Sequence, residues 1–301
     1  CRSARGIRLS TPPSPRPTTM SAMTETIPEL KLNDGTLIPQ LGYGLHRVDP
    51  ALAEELTLAA LEAGYRHLDT AFIYHNEEGV GRAIAASGVP RDELYVTTKL
   101  WNDRHRDAEA ALSESLERLG LDHVDLYLIH WPVPSEGAYV DAWRSMVQLR
   151  EQGLTTSIGV SNFLPSHIHD LEMATDVTPA VNQVELHPLF QRWKELDAMR
   201  VHGVAIEGWA PLGGGNLDLS DYPEITDAAE AHGKTPAQVV LRWHLQNRVI
   251  VFPKTNSPER MAENLDIFDF ELNHDEMAAM IALDEEEFGR FGPHPAHYSD
   301  M

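Results

Sequence analysis

The sequence has almost no cysteine. The 301 residues include a single one, Cys1, which lies outside any region whose composition predicts a folded core. Disulfide bonds, cysteine nucleophiles and thiolate metal sites are therefore excluded from the folded part of the chain. A chain without disulfides suits a reducing compartment, and we expect a cytoplasmic protein.

Long apolar runs and an excess of basic residues are also missing. No run approaches the roughly 18 apolar residues that cross a bilayer, so we expect no membrane partner. The formal net charge is −22, and because residues 1–24 hold four arginines and no acid, the remainder carries −26. This charge opposes binding to nucleic acid or to an anionic membrane surface. An anionic ligand would need a local cluster of cations.

The N-terminal segment differs in composition from the rest of the chain. Residues 1–28 are rich in Ser, Thr, Pro and Arg, which predicts a disordered N-terminal extension. A transit peptide has a similar composition, but we favour an upstream extension, with Met20 or Met23 as the start. Residues 29–301 have an even composition and short linkers, which predicts one domain.

Turn and strand patterns predict the architecture. Asn33-Asp34-Gly35 between two short apolar runs indicates an N-terminal β-hairpin, and Asp49-Pro50 predicts the N-cap of the first helix. Strand-like runs, alternating with helical patterns, then follow near 40–45, 65–70, 94–100, 124–131, 156–161, 180–185, 204–209 and 249–254. Eight such units predict an α/β fold, a (β/α)8 TIM barrel, with extra C-terminal helices at 258–264 and 274–283. No Gly-x-Gly-x-x-Gly follows the early strands, which argues against a Rossmann sheet.

Polar residues recur where the predicted strands end. Asp69, Lys99 and His130 end three successive strands, and Tyr74 follows Asp69 by five residues. The carboxyl ends of barrel strands meet at one face, where the active sites of such barrels lie. A buried Lys99 needs a negative partner, which Asp69 can supply. Taken alone, this pair would be interpreted as a structural ion pair.

The tyrosine and the histidine change that interpretation. A cation beside the Tyr74 phenol stabilises the phenolate and lowers its pKa from about 10, which suits a general acid. His130 could donate a hydrogen bond to a carbonyl oxygen or help to move its proton. The sequence has neither a Gly-x-Ser-x-Gly elbow nor a His-Glu-x-x-His motif. The four residues therefore predict protonation of an oxygen while an external donor delivers a hydride.

A series of motifs supports this interpretation. They are Leu-Gly-Tyr-Gly (41–44), Gly-Tyr-Arg-His-Leu-Asp-Thr-Ala (64–71) with Tyr74-x-Asn-Glu, Thr-Lys-Leu-Trp (98–101), Asp-Leu-Tyr-Leu-Ile-His-Trp-Pro (125–132), Ile-Gly-Val-Ser-Asn-Phe (158–163), Val-Asn-Gln-Val-Glu-Leu-His-Pro (181–188) and Phe-Pro-Lys-Thr (252–255). In this order the motifs resemble those of the aldo-keto reductases, most closely the bacterial branch that includes 2,5-diketo-gluconate reductases. The resemblance extends from about Leu30 to about Asp284.

The resemblance implies a catalytic tetrad and an NADPH site without a Rossmann domain. The implied tetrad is Asp69, Tyr74, Lys99 and His130, with Tyr74 as the general acid. The implied contacts are Ser161, Asn162 and Gln183 to the nicotinamide carboxamide, Trp209 to its ring, Leu212 and Gly213 to the pyrophosphate, Lys254, Thr255, Asn256 and Arg260 to the adenosine 2′-phosphate, and Glu263 and Asn264 to the adenine. Two cations and a hydroxyl beside a helix start suit a phosphate. Without the resemblance they would be an ordinary basic surface patch.

The substrate pocket is expected at the same face. His46, Trp101 and Trp131 are its predicted lining, and His46 stands where many relatives carry an aromatic residue. The tail 288–295 is expected to frame the site. The predicted substrate is a small aldehyde or ketone, with a keto-sugar acid or a reactive dicarbonyl as candidates, and we expect a monomer without a metal.

Two other functions remain as alternatives. The first is a nucleotide-binding or nucleotide-sensing protein on the same scaffold, which an intact tetrad disfavours. The second is a metal-dependent barrel isomerase or hydrolase, for which the sequence shows no cluster of ligands at metal-binding spacing.

Overall fold

The computed structural model describes residues 27–300, which contain ten strands and ten α-helices. The strands are β1 (Glu29–Lys31), β2 (Leu37–Pro39), β3 (Tyr43–Gly44), β4 (His67–Asp69), β5 (Tyr95–Leu100), β6 (Val124–Ile129), β7 (Thr155–Ser161), β8 (Val181–Glu185), β9 (Ala205–Trp209) and β10 (Val249–Val251). The helices are α1 (Ala53–Ala63), α2 (Glu77–Ser87), α3 (Ala108–Leu119), α4 (Tyr139–Glu151), α5 (Pro165–Thr175), α6 (Trp193–Val201), α7 (Pro223–His232), α8 (Pro236–Gln246), α9 (Pro258–Leu265) and α10 (His274–Ile281). None of these helices is long and apolar enough to span a bilayer.

Strands β3 to β10 form one parallel sheet in which sequence neighbours are also spatial neighbours. A parallel bridge between Leu41 and Val251 joins the two edges of the sheet, and the Gly42 amide donates to the Val251 carbonyl at 2.9 Å. The eight strands thus close into a barrel. The predicted (β/α)8 fold is confirmed, and α9 and α10 are the expected extra C-terminal helices.

The predicted N-terminal hairpin is present. β1 pairs with β2 in antiparallel register, and the turn between them places Gly35 at φ 92°, a conformation that favours glycine. In the same turn Asp34 accepts a hydrogen bond of 2.7 Å from the Ser157 hydroxyl, near the start of β7. The hairpin is therefore attached to the N-terminal end of the barrel, opposite the face where the strands end.

The predicted extension, residues 1–28, lies almost wholly outside the described residues. Within the described part, the backbone carbonyl of Pro28 accepts a hydrogen bond of 2.8 Å from the Gln40 amide. Helix α1 begins at Ala53, so the prediction of Asp49-Pro50 as its N-cap was wrong. Asp49 instead accepts a hydrogen bond of 2.9 Å from the Ala51 amide in a turn ahead of the helix.

The core has three regions. One packs α7, α8 and α10 together and includes Trp243 and Met280, and the barrel wall separates the other two. The larger lies between the strands and the surrounding helices and includes Val96 and Leu100 of β5. The smaller fills the barrel interior and comprises Leu32, Ile38, Tyr95, Leu126, Leu128, Ala180, Val181, Ile250 and Phe252. Because side chains alternate along a strand, Lys99 shares the interior face with Tyr95. This alternation brings the polar strand ends together above an apolar interior.

Candidate active site

Lys99 and Asp69 form a buried ion pair at the ends of β5 and β4. Lys99 Nζ donates to Asp69 Oδ1 at 2.7 Å and to the Thr70 carbonyl at 2.8 Å. The exposed fraction of the side chain is 0% for Lys99 and 6% for Asp69. Burial alone would lower the pKa of Lys99, but the negative charge of Asp69 and the nearby Tyr74 outweigh it and raise that pKa. Lys99 therefore carries a full positive charge inside the barrel.

Tyr74 ends a short helical turn after β4, Phe72–Tyr74. Lys99 Nζ lies 5.1 Å from the centre of its ring. Burial raises the pKa of Tyr74, and although the charge of Lys99 acts in the opposite direction, the net shift is upward. The expectation of a lowered Tyr74 pKa was therefore wrong for this structure, because loss of hydration outweighs the neighbouring cation. The phenol keeps its proton at neutral pH.

His130 follows β6 and lies beside Tyr74. The ring centroids of the two residues are 5.8 Å apart, and the Trp101 ring lies 5.1 Å from the His130 ring. Burial, together with the charges of Lys99 and His46, holds the pKa of His130 well below 6.5. The imidazole is therefore neutral at pH 7, and Nδ1 has no hydrogen-bond partner within residues 27–300. A neutral imidazole of this kind can donate a hydrogen bond to an oxygen.

The two other predicted pocket residues flank this group. His46 is only partly covered, so much of the residue remains exposed, and its ring lies 5.1 Å from that of Tyr74. Partial burial and the charges of Arg47 and Lys99 lower the pKa of His46 to about 4. Trp131 is buried and packs on Tyr298 of the C-terminal tail, with ring centroids 4.2 Å apart. The structure thus places His46, Trp101 and Trp131 around the tetrad.

The residues expected to contact the nicotinamide form one hydrogen-bonded group. Ser161 Oγ donates to the Gln183 carbonyl at 2.9 Å, and Asn162 Nδ2 donates to the His130 carbonyl at 3.1 Å. Trp209 Nε1 donates to Asn162 Oδ1 at 2.8 Å. Asn162 has a φ of 62°, a conformation that asparagine tolerates better than most residues. The structure therefore brings Ser161, Asn162, Gln183 and Trp209 to the edge of the tetrad.

Gln183 also connects the tetrad to an acid that the sequence patterns did not single out. Gln183 Nε2 donates to Asp69 Oδ2 and to Glu207 Oε2, both at 2.9 Å. Glu207 lies in the middle of β9 and is fully buried. The sequence pattern that could have identified Glu207 is the same as for Lys99: an ionisable residue in a strand between non-polar neighbours, here Ile206 and Gly208.

The predicted phosphate-binding residues lie in the loop after β10 and the first turn of α9. Lys254 and Arg260 are exposed, and neither belongs to an ion pair described within residues 27–300. Ser257 caps α9 by accepting a hydrogen bond from the Arg260 amide. Two free cations beside a capped helix start suit an anion such as a phosphate.

The remaining predicted contacts surround this loop. Thr255 is buried and its carbonyl accepts a hydrogen bond of 2.8 Å from the Tyr43 hydroxyl, whereas Asn256 is exposed. Asn264 is buried, and Glu263 accepts a hydrogen bond of 2.7 Å from the Thr235 hydroxyl. One carboxylate oxygen of Glu263 is therefore already used in a hydrogen bond within the protein.

A glycine-rich loop follows β9 and Trp209. Leu212 is half-buried and Gly213 is buried. Gly213, Gly214 and Gly215 all have positive φ, between 60° and 88°, where a side chain would be strained. The loop therefore presents backbone rather than side chains, which allows close approach of a ligand.

The C-terminal tail is fastened to the strand that carries Gln183. Glu185 accepts hydrogen bonds from the backbone amides of Phe291 at 2.7 Å and Gly292 at 2.9 Å. A Cβ on Gly292 would lie 2.6 Å from Trp209 Cη2, so the tail backbone packs directly on that indole. Sequence patterns did not single out Glu185, although it also ends a strand and lies within the motif at 181–188.

Comparisons with known proteins agree with this geometry. The model of the "Aldo/keto reductase family" matches residues 35–285. An aldo-keto reductase of Mycolicibacterium vanbaalenii is 53% identical over 276 residues, which cover 91% of this chain and 97% of that protein. The methylglyoxal reductase DkgA of Escherichia coli K12 is 47% identical over 273 residues, which cover 89% and 97%.

Solved structures show the same likeness. The crystal structure of the Gox0644 D53A mutant in complex with NADPH has a TM-score of 0.86 and 43% sequence identity. The match covers 91% of this chain and 99% of that one.

Proposed function

The chain belongs to the aldo/keto reductase family, and from the site described above we propose that it reduces a small aldehyde or ketone with a proton from Tyr74. The enzyme is an NADPH-dependent oxidoreductase. When bound, NADPH supplies the hydride that reaches the carbonyl carbon.

The observation that carries the proposal is a protonated phenol beside a permanent buried cation. Tyr74 keeps its proton in the ligand-free protein, so a proton is available when a carbonyl oxygen arrives. Lys99 lies 5.1 Å from the ring and stabilises the phenolate that remains after transfer. Asp69 holds Lys99 in place, and neutral His130 can orient the oxygen by hydrogen bonding without competing as an acid.

The chain's own residues fit the cofactor. The charges of Lys254 and Arg260 suit the 2′-phosphate that distinguishes NADPH from NADH. We assign the carboxamide to Ser161, Asn162 and Gln183, and the stacking surface to Trp209. The glycines at 213–215 allow the pyrophosphate to approach the backbone.

We further propose a reactive dicarbonyl as the substrate class. A relative of 47% identity is named methylglyoxal reductase. Trp101 beside His130 and Trp131 against Tyr298 provide an aromatic lining that suits a compact carbonyl. We also propose a single barrel domain at residues 29–301, acting as a cytoplasmic monomer, because one chain supplies every assigned residue. Sedimentation analysis tests the oligomeric state.

Replacing Tyr74 by phenylalanine tests the proposal. Y74F should bind NADPH as the wild type does, since the hydroxyl alone is removed, while its turnover of methylglyoxal should fall about a hundred- to ten-thousand-fold. Cofactor binding is measured by fluorescence titration and turnover by the loss of NADPH absorbance.

The matched control is Y222F, which removes the hydroxyl of a tyrosine at the start of α7 and should behave as the wild type. If Y74F reduced methylglyoxal at the wild-type rate, Tyr74 would not be the acid. NADPH binding without oxidation by any carbonyl tested would instead favour a nucleotide sensor.

A further inference from the structure

Glu207 is a buried acid that forms no ion pair with any cation of residues 27–300. Its side chain is fully buried, and Oε1 has no hydrogen-bond partner among residues 27–300. Lys99, the cation nearest in the network, pairs with Asp69 instead. An ionised carboxylate in such a position is strongly disfavoured, so the geometry requires a neutral carboxylic acid.

Gln183 has both of its N–H donors engaged. A primary amide offers two N–H groups and one carbonyl oxygen, and here Nε2 donates to Asp69 Oδ2 and to Glu207 Oε2. Asp69 accepts from Lys99 through Oδ1 and from Gln183 through Oδ2. The amide nitrogen therefore faces the two carboxyl groups, and only the oxygen of Gln183 remains for a ligand.

We propose that Glu207, as a neutral acid, is a positioning residue that orients Gln183 so that its amide oxygen accepts a hydrogen bond from the nicotinamide carboxamide. This inference rests on the proposed function. Glu207 and Gln183 are register partners across β9 and β8, so the contact is built into the barrel wall. Without Glu207 one donor of Gln183 would be unsatisfied, and the amide could rotate to present nitrogen instead.

The electrostatics of the barrel interior agree. Burial, with a further contribution from the charge of Asp69, raises the pKa of Glu207 to about 8. The titratable groups that face it are Asp69 from β4 and Lys99 and Tyr95 from β5. Burial and nearby acids raise the pKa of Tyr95 well above 10, so that group stays neutral. Glu207 therefore holds its proton at pH 7.

Binding to two cofactors separates a positioning role from a merely structural one. E207L should weaken binding of NADPH about tenfold, as expected when a buried donor is left unsatisfied. It should leave almost unchanged the binding of reduced 3-acetylpyridine adenine dinucleotide phosphate, in which a methyl group replaces the carboxamide nitrogen. E207Q keeps a neutral acceptor and should bind NADPH within about twofold of the wild type.

Equal losses for both cofactors in E207L, or no loss for NADPH, would overturn the inference. These titrations involve no turnover, so they stay informative even if Y74F contradicts the proposed acid. Failure of the wild type to bind NADPH would instead refute the proposed cofactor site.

Infrared spectroscopy at pH 7 provides a second test if E207L fails to fold. The difference spectrum between wild type and E207Q should show loss of a carboxylic-acid C=O band. The matched control is E77Q, since buried Glu77 pairs with Arg118 at 2.7 Å and its replacement should remove a carboxylate band. A lost carboxylate band in E207Q would show an ionised Glu207 and refute the proposal.

Discussion

Replacing Lys99 by methionine tests how much the buried ion pair contributes to stability. Methionine has nearly the same length and fills the same space without charge. The substitution leaves Asp69 buried with Gln183 as its remaining donor and removes the partner of the Thr70 carbonyl. Catalysis should also be lost, but stability can be measured independently of it.

The expected cost follows from the burial of the pair. Breaking a buried pair by removing one partner costs about 3–5 kcal/mol. We expect the lower end, about 3 kcal/mol, because Gln183 still donates to Asp69. For a domain of this size that corresponds to a melting temperature lower by about 6–12 °C. The double variant D69N/K99M removes both charges and should recover most of the loss.

Urea unfolding followed by circular dichroism measures these free energies. The control is R144A, which breaks an equally short pair with Asp141 whose side chains are 53% and 63% exposed. It should change the free energy of unfolding by less than about 0.5 kcal/mol. If K99M were no less stable than R144A, or the double variant less stable than K99M, the reasoning from burial would be refuted.

The remaining predictions concern the cofactor, the tail and pH. R260A should raise the Kd for NADPH about tenfold or more and hardly change that for NADH; an equal effect on both, by fluorescence titration, would contradict the 2′-phosphate assignment. E185Q should weaken the acceptor for the Phe291 amide, so limited proteolysis should cut the tail faster and KM should rise more than kcat falls. An unchanged rate of proteolysis would contradict the role of Glu185 in holding the tail. Because the folded pKa of Glu207 is raised to about 8, the folded state binds the extra proton. The wild type should therefore lose stability relative to E207Q between about pH 4.5 and about pH 8, by at most about 1.4 kcal/mol per pH unit. A difference in free energy of unfolding between the two proteins that stays constant across that range would exclude this.

The architecture was predictable because its signals are local. Each barrel strand is a short apolar run, and turn residues such as Gly35, Gly64 and Gly120 mark where elements end. Asp69, Lys99 and His130 could be found because they end strands of known order. The start of α1 was not predictable in this way, since Asp49 can cap a turn as well as a helix.

The parts of the site that escaped prediction depend on contacts between distant segments. Glu207 matters because β9 is in register with β8, which places it against Gln183. Glu185 matters because the tail returns to it from more than a hundred residues away. The net pKa of Tyr74 depends on its burial, which no pattern of neighbouring residues reveals. The sequence thus predicted which strand-end residues lie close together. It did not predict how burial shifts their pKa values or which distant residues contact them.

The way the tail is fastened has a consequence for how new substrate preferences can arise. Glu185 holds the tail through the backbone amides of Phe291 and Gly292, and Asn102 holds the carbonyl of Asp300. Backbone groups are the same in every sequence, so tail side chains can change while these attachments remain. Two tail positions are constrained in size: a Cβ on Gly289 would collide with the Leu189 backbone, and Gly292 is pressed against Trp209. The tail is thus held mainly through its backbone, and we expect exchange of its side chains to alter substrate selectivity while the barrel stays unchanged.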